Sequence, residues 1–533
     1  MRFLLVILLS LGLVFRLAHL DQKVYWYDEA FTSLRASGFT EAEVVAHFAA
    51  SDVVNLAELQ QFQHPAADKG LADTFHSLAT EDNQHPPFYY AIANLWSRWI
   101  GSSVAAYRLL PALFSLLSLP AVYWLCRELF VETGAFASTL PCWIAVGLWA
   151  ISPLQIIYAQ ESRQYSLWGT ATLVMTAALL RALRLQTPLS WMLYALTLAL
   201  NFYTFLLSGL VALAHAIYVL FRGKLRLDRG LIAYLTASVI GTALFLPWLW
   251  VLVTNLSQAQ SVTNWTTTQQ SLPRLVLTWV SIIGRVFYDR GELLVDRAIQ
   301  VGVLALVVGS FYSLCRFACR PVWLLVVTLT LVPILPLMLA DLSLGGLRST
   351  FPRYFLPTLL GIQLAVVYLL SKQLNAKWNW VNGRWLVAAV CCAGLVSCLT
   401  SFSAPTWWQK TLSQENPAVA EVVNQAVHPL LISDTETGDL LSLSHLLKPH
   451  VSLLLRPTCY TCRPNITENF SSLLAAVSHP SQRLNQYSHV YLFHPRSSKA
   501  WRQLLNREQN LRFEPLSLKD KKNNEVLWRI INK

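Results

Sequence analysis

Charge is scarce in this chain: 13% of its 533 residues are Asp, Glu, Lys or Arg, against about 25% in soluble domains. With 54% hydrophobic residues, that shortage excludes an ordinary soluble globule and implies many membrane spans. Zinc-type spacing is absent from the nine cysteines. Cys126, Cys142, Cys315, Cys319, Cys391, Cys392 and Cys398 fall in apolar or membrane-edge stretches, where a thiol serves as a small buried hydrophobe. Cys459 and Cys462 form a lone C-x-x-C in a polar region, and a local disulfide is expected there rather than a metal site. The apolar run 1–20 lacks an A-x-A-like cleavage site, so it reads as an uncleaved first span whose Arg16 snorkels to the interface. No internal repeat, low-complexity tract or Gly-x-x-x-x-Gly-Lys nucleotide loop is visible.

What is present is a succession of apolar runs: near 3–20, 106–126, 134–157, 165–183, 188–204, 206–221, 231–253, 297–314, 321–340, 353–371 and 385–402. Crossing the hydrocarbon core takes roughly 17–25 residues, which puts 188–204 and 206–221 at or just below the limit. Those two also read as one hairpin joined at 201–204. With a cytoplasmic N-terminus, the inside loops collect Arg127, Arg181, Arg184, Arg222, Lys224, Arg226, Arg229, Arg316, Arg320, Lys372, Lys377 and Arg384. The long loop 21–105 instead carries eleven acids. This asymmetry follows the positive-inside rule with about eleven spans, and the formal charge of +12 therefore orients the protein rather than binding nucleic acid. Residues 85–100 open with prolines and contain Arg98; they read as an amphipathic helix lying at the outer surface.

The expected fold is a polytopic α-helical membrane protein. Residues 1–402 form the transmembrane part, with 21–105 a large outer loop of interfacial helices. Beyond 403 the composition changes, and 429–433, 451–455 and 489–493 read as short buried strands. They place a small soluble α/β domain at 403–533 on the outer side. Sequons at Asn255, Asn264, Asn465 and Asn469 fall on that same side.

Four polar motifs stand out. Tyr25-Trp26-Tyr27-Asp28-Glu29-Ala30-Phe31 sets two carboxylates among aromatics at the membrane–water boundary, where charge is costly and usually functional. One carboxylate can act as general base while its neighbour orients it. A shared metal ion, or simple complementarity to a helix N-terminus, are the other uses of such a pair. His85-Pro86-Pro87 fixes an extended entry to the surface helix, and His85 can donate to a phosphate; the bland reading is a turn with an incidental histidine. In Gln160-Glu161-Ser162-Arg163-Gln164-Tyr165, Arg163 suits a bidentate clamp on a phosphate, or else caps an ordinary short loop. In Phe351-Pro352-Arg353-Tyr354, Arg353 is a second phosphate ligand with Tyr354 hydrogen-bonding beside it, or an interfacial anchor; Arg348 nearby is less specific.

In this order, with Arg16-Leu17 ahead of them and Arg108-Leu109-Leu110 among them, the motifs resemble the GT-C glycosyltransferases that use polyprenyl-phosphate sugars. The nearest branch looks like family 39, which holds protein O-mannosyltransferases and lipid A aminoarabinose transferases. The match covers roughly two-thirds of the chain and ends at Arg353-Tyr354-Phe355-Leu356-Pro357. The resemblance implies that Asp28 is the catalytic carboxylate with Glu29 in support. It also implies that Arg163, Arg353, Tyr165, Tyr354 and His85 lie near the donor phosphate, with Glu161 and Arg16 as further members of the site. The family often has Asp two residues before His-Pro-Pro; here Asn83 stands there and Asp82 is adjacent.

The expected activity is inverting transfer of a sugar from a polyprenyl-phosphate donor to a protein, lipid or glycan acceptor. It would occur at the outer face of a bacterial inner membrane, with no required cofactor and no metal ligand set, although a divalent ion is compatible with the acids. A transporter or flippase is the alternative; it would place ionisable residues at mid-membrane and often show two related halves. A receptor working through 403–533 is a third reading, and it leaves the acids and arginines without a role.

Overall fold

The computed structural model describes residues 2–291, 293–375, 383–462, 486–494, 511–520 and 523–532. Lys377, Asn465 and Asn469 lie outside the described residues. Each of the eleven apolar runs is helical. Among the described residues, seven helices are long and apolar enough to cross a membrane, from Val104–Val131 to Gly383–Phe402. An eighth span results if the bent pair Leu140–Ala150 and Pro153–Ala159 is counted as one. Arg2–Leu17, Pro188–Thr204 and Ser208–Arg222 have 16, 17 and 15 residues and fall short of that length.

The bend of 58° in that pair has a visible cause. Pro153 has no N–H to give to the Trp149 carbonyl four residues earlier, so the helix breaks and leaves backbone acceptors open. Arg16 fills them. Its guanidinium donates to the carbonyls of Ala150 at 2.6 Å and Trp149 at 3.0 Å, to its own Gly12 carbonyl at 2.9 Å, and to Ser115 Oγ at 2.9 Å. Gly12 makes this approach feasible, since a Cβ there would sit 2.6 Å from the Ala150 oxygen. Arg16 is completely buried, so the expected snorkelling to the interface is incorrect: four internal acceptors bind it better than a headgroup region would. It is a structural clasp for the break between the two helices.

Between the first helix and Val104, the chain forms Tyr27–Ala36, Glu41–Ala50, Leu56–Gln60, Leu71–Glu81 and Phe88–Trp99. The last is the expected amphipathic helix. Tyr89, Tyr90, Ala93 and Asn94 point inward, while Leu95, Trp99 and Ile100 are exposed.

The C-terminal region builds one five-stranded sheet, whose order along the sheet is 452–455, 429–433, 489–493, 527–532 and 511–515. β1 (Pro429–Ser433), β2 (Ser452–Leu455) and β3 (His489–Phe493) are parallel and coincide with the three expected strands. β4 (Leu511–Pro515) and β5 (Leu527–Asn532) are additional and antiparallel. The sheet is not set apart from the loop helices. Tyr25, Tyr27, Phe31 and Leu34 share one apolar cluster with Leu431, Leu440, Leu453 and Phe493. Val54 and Leu453 exchange backbone hydrogen bonds at 2.8 and 2.9 Å. Gly438 lies so close to the Tyr27 and Phe31 rings that a Cβ would meet both at 2.6 Å.

Candidate active site

The Tyr27–Ala36 helix starts at the acid pair. Glu29 reaches back to accept the Trp26 N–H at 3.3 Å, and both acids occupy the first turn, where they complement the helix dipole. The two carboxylates then diverge. Glu29 points into the protein and is fully buried. Arg108 grips it with two bonds of 2.7 Å, Lys410 Nζ donates at 2.7 Å, and the Ser162 N–H at 2.8 Å. Burial opposes its ionisation, but the Arg108 and Lys410 charges overcome this and hold the carboxyl at about 2. Arg108 spends its remaining donors on the carbonyls of Leu20, Lys23 and Val24 at 2.8–2.9 Å. Glu29 is thus a fixed counter-ion that ties three segments together, and it has no open face for a proton from an acceptor.

Asp28 has one. Its side chain is 19% exposed, and Oδ2 accepts from Arg353 Nη1 at 2.8 Å, from a guanidinium that is itself 14% exposed. Arg163 approaches the same residue from the other side, donating to the Asp28 carbonyl at 3.2 Å, Thr32 Oγ1 at 3.1 Å and the Tyr90 hydroxyl at 3.2 Å. Nε of Arg163 and Nε of Arg353 are buried with no hydrogen-bond partner among the described residues. The Tyr165 ring lies 5.9 Å from the Arg163 guanidinium carbon and 5.8 Å from that of Arg353, between the two cations. Tyr354 and Phe351 add ring faces at 5.5 and 5.0 Å from Arg353. The tyrosines therefore support the arginines through their rings.

His85 completes the group. Its Nε2 faces Arg163 Nη2 at 3.0 Å and its Nδ1 faces Asp82 Oδ1 at 2.9 Å. A guanidinium can only donate, so Nε2 accepts and the proton sits on Nδ1, donating to Asp82. His85 in this state has no N–H to offer a phosphate, contrary to expectation; it orients Arg163 instead. Asp82, next to Asn83, is the acid that meets His85. Although burial works against the charge, His85, Arg35 and Arg163 hold its carboxyl at about 2. Glu161 is buried, with Oε2 lacking a partner among the described residues. Burial pushes its carboxyl up to about 7; Lys410 opposes the rise, while Glu29 and Asp28 add to it. Arg348 binds Asp341 at 3.2 Å and stays outside the group.

Asp28, His85, Arg163, Tyr165, Arg353 and Tyr354 are therefore brought together from four distant segments. Sequence reasoning missed Lys410, the bidentate role of Arg108, and Arg35. Lys410 carries no motif of its own; it follows Trp407 and Trp408, whose indoles donate to Asp289 at 2.9 and 2.5 Å and fix that stretch. Among the described residues, no group of three or more His, Cys, Asp or Glu side chains is placed to hold a metal ion.

Residues 84–251 match the family model described as dolichyl-phosphate-mannose-protein mannosyltransferase. The structure superposes on apo ArnT from Cupriavidus metallidurans with a TM-score of 0.51 at 13% identity, covering 98% of this chain and 97% of that one. The fold is that of the GT-C glycosyltransferases. ArnT bound to undecaprenyl phosphate superposes at 0.48 with 13% identity and the same coverage. The Archaeoglobus fulgidus oligosaccharyltransferase AglB, in complex with an inhibitory peptide and a dolichol-phosphate, gives 0.47 at 12% identity, over 100% of this chain and 74% of that one. No curated protein sequence matches the chain. The matched stretch 84–251 includes His85, Arg108 and Arg163 but not Asp28, Arg353 or Lys410. The chain is a polytopic helical membrane protein with GT-C architecture.

Proposed function

We propose that this protein transfers a sugar from a polyprenyl-phosphate donor to an acceptor at the extracytoplasmic face of a bacterial inner membrane, with inversion at the anomeric carbon. The observation that carries the reading is the contact between a partly exposed Asp28 and Arg353, with Arg163 beside them, in a GT-C fold. Without donor, Arg353 is neutralised by Asp28. A donor phosphate competes for that guanidinium, and its arrival releases the carboxylate as a base. The acceptor hydroxyl or amine then gives its proton to Asp28 and attacks C1, and the C1–O bond to phosphate breaks. The electron pair stays on the polyprenyl phosphate, whose growing charge Arg353 and Arg163 stabilise. Two guanidinium groups can supply the charge that nucleotide-dependent transferases draw from a metal, so no cofactor is assigned. ArnT, described with undecaprenyl phosphate bound, supports a lipid phosphate as the leaving group.

The test is to incubate purified protein in liposomes with a panel of polyprenyl-phosphate sugars and candidate acceptors. The expected result is release of polyprenyl phosphate together with a glycoside of inverted configuration. Movement of intact donor across the bilayer without cleavage would instead identify a flippase.

A further inference from the structure

The disulfide Cys459–Cys462 closes a short loop, with Cα atoms 5.6 Å apart, whose two inner residues are fully engaged in a buried polar network. The Tyr460 N–H donates to Glu41 Oε1 at 2.8 Å and the Thr461 N–H to Oε2 at 2.7 Å. The Thr461 hydroxyl lies 2.6 Å from Glu41 Oε2 and accepts from Arg35 Nη2 at 2.9 Å. Arg35 sits on the Tyr27–Ala36 helix that also carries Asp28. It binds Glu81 at 2.5 Å, and its Nε lies 3.9 Å from Asp82. Asp82 holds His85, His85 faces Arg163, and Arg163 holds the Asp28 backbone. Glu41, Arg35, Glu81, Asp82 and Thr461 are all buried.

We infer that the Cys459–Cys462 loop is a positioning element for the reactive group, acting through Thr461 and Arg35 on the Asp82–His85 pair. The argument is one of charge. A single guanidinium, Arg35, faces three buried carboxyl groups: Glu41, Glu81 and Asp82. The balance holds because two loop amides and a hydroxyl solvate Glu41, leaving Arg35 to Glu81 and Asp82. Opening the loop frees those amides. Glu41 then draws Arg35 toward itself, Asp82 loses one of the cations that hold it, and the orientation of His85 and Arg163 is loosened. The effect on turnover rests on the proposed glycosyl transfer, whereas the effect on geometry does not.

A phosphine reductant opens the bond cleanly: the disulfide gains two electrons and two protons to become two thiols, and the phosphine is oxidised to its oxide with oxygen from water. The thiol count of the denatured protein should rise from seven to nine. With opening verified, hydrogen exchange should increase over residues 27–36 and 82–90, and the transfer rate should fall roughly tenfold, as displaced reacting groups require. The Cys459→Ser/Cys462→Ser protein should behave like reduced wild type and ignore the reductant. Thr461→Val should lower kcat with KM for the donor little changed, and Thr461→Ser should restore it. Unchanged exchange over 82–90 in the opened wild type overturns the inference, whatever the rate does. Absence of transfer by the oxidised wild type counts against glycosyl transfer alone, and the exchange comparison still decides.

Discussion

Asp28 and Glu29 are adjacent, yet one is partly exposed and the other is sealed behind Arg108 and Lys410. The sequence shows both as interfacial acids, because adjacency is legible and side-chain direction is not. Their separation makes distinct predictions. Glu29→Gln leaves two buried cations with no anion, which costs about 3–5 kcal/mol, and should appear as a lowered thermal midpoint in detergent. In the folded protein the Arg108 and Lys410 charges hold the Glu29 carboxyl at about 2, below the ordinary glutamate value of 4.5. Its contribution is therefore complete above about pH 4.5 and lost as pH falls toward 2, so mutant and wild type should converge in acid. Glu161 has the opposite sign. Raised to about 7, it binds its proton more tightly when folded, and stability declines as pH rises from about 4.5 to 7. Glu161→Gln should raise the midpoint at pH above 7 and leave it unchanged near pH 4.5. A mutant that is destabilised across this whole range would contradict the assignment.

At the scale of elements, the apolar runs and their helical state were legible from composition, because hydrocarbon length dictates run length. The break after Ala150 was not. Pro153 signals one, but the arginine that stabilises it lies over 130 residues earlier, and a lone Arg at the end of a first span reads equally as a headgroup anchor. Arg16→Leu should leave the buried Ala150 carbonyl without the guanidinium that now donates to it, at roughly 1–3 kcal/mol. Chemical denaturation should report the loss, and an unchanged midpoint would show that Arg16 is dispensable to the bend. The strands divide in the same way. β1 to β3 are apolar runs that can be read directly, whereas β4 is Leu-Arg-Phe-Glu-Pro at the sheet edge, where exposure replaces hydrophobicity with charge.

Across the whole molecule, the pieces that matter most were visible separately and joined only by folding. Asp28, His85, Arg163 and Arg353 each belong to a short motif, and their order along the chain resembles GT-C transferases. Their partners come from long range: Lys410 meets Glu29 across 381 residues, and Thr461 meets Glu41 across 420. No local pattern encodes such pairs. The same long-range contacts make the C-terminal sheet part of the wall behind the acid pair rather than an appendage, since Ser442 donates to the Tyr25 carbonyl at 2.6 Å and Tyr27 to Glu436 at 2.5 Å.

The most direct measurement compares wild type with Asp28→Asn for two quantities in the same liposomes: single-turnover cleavage of a polyprenyl-phosphate sugar, and equilibrium binding of undecaprenyl phosphate. Losing a general base should slow cleavage by about 10²–10⁴-fold. Removing the carboxylate that competes for Arg353 should leave lipid-phosphate affinity equal or higher. Cleavage at the wild-type rate, or affinity that collapses with the carboxylate, would contradict the account.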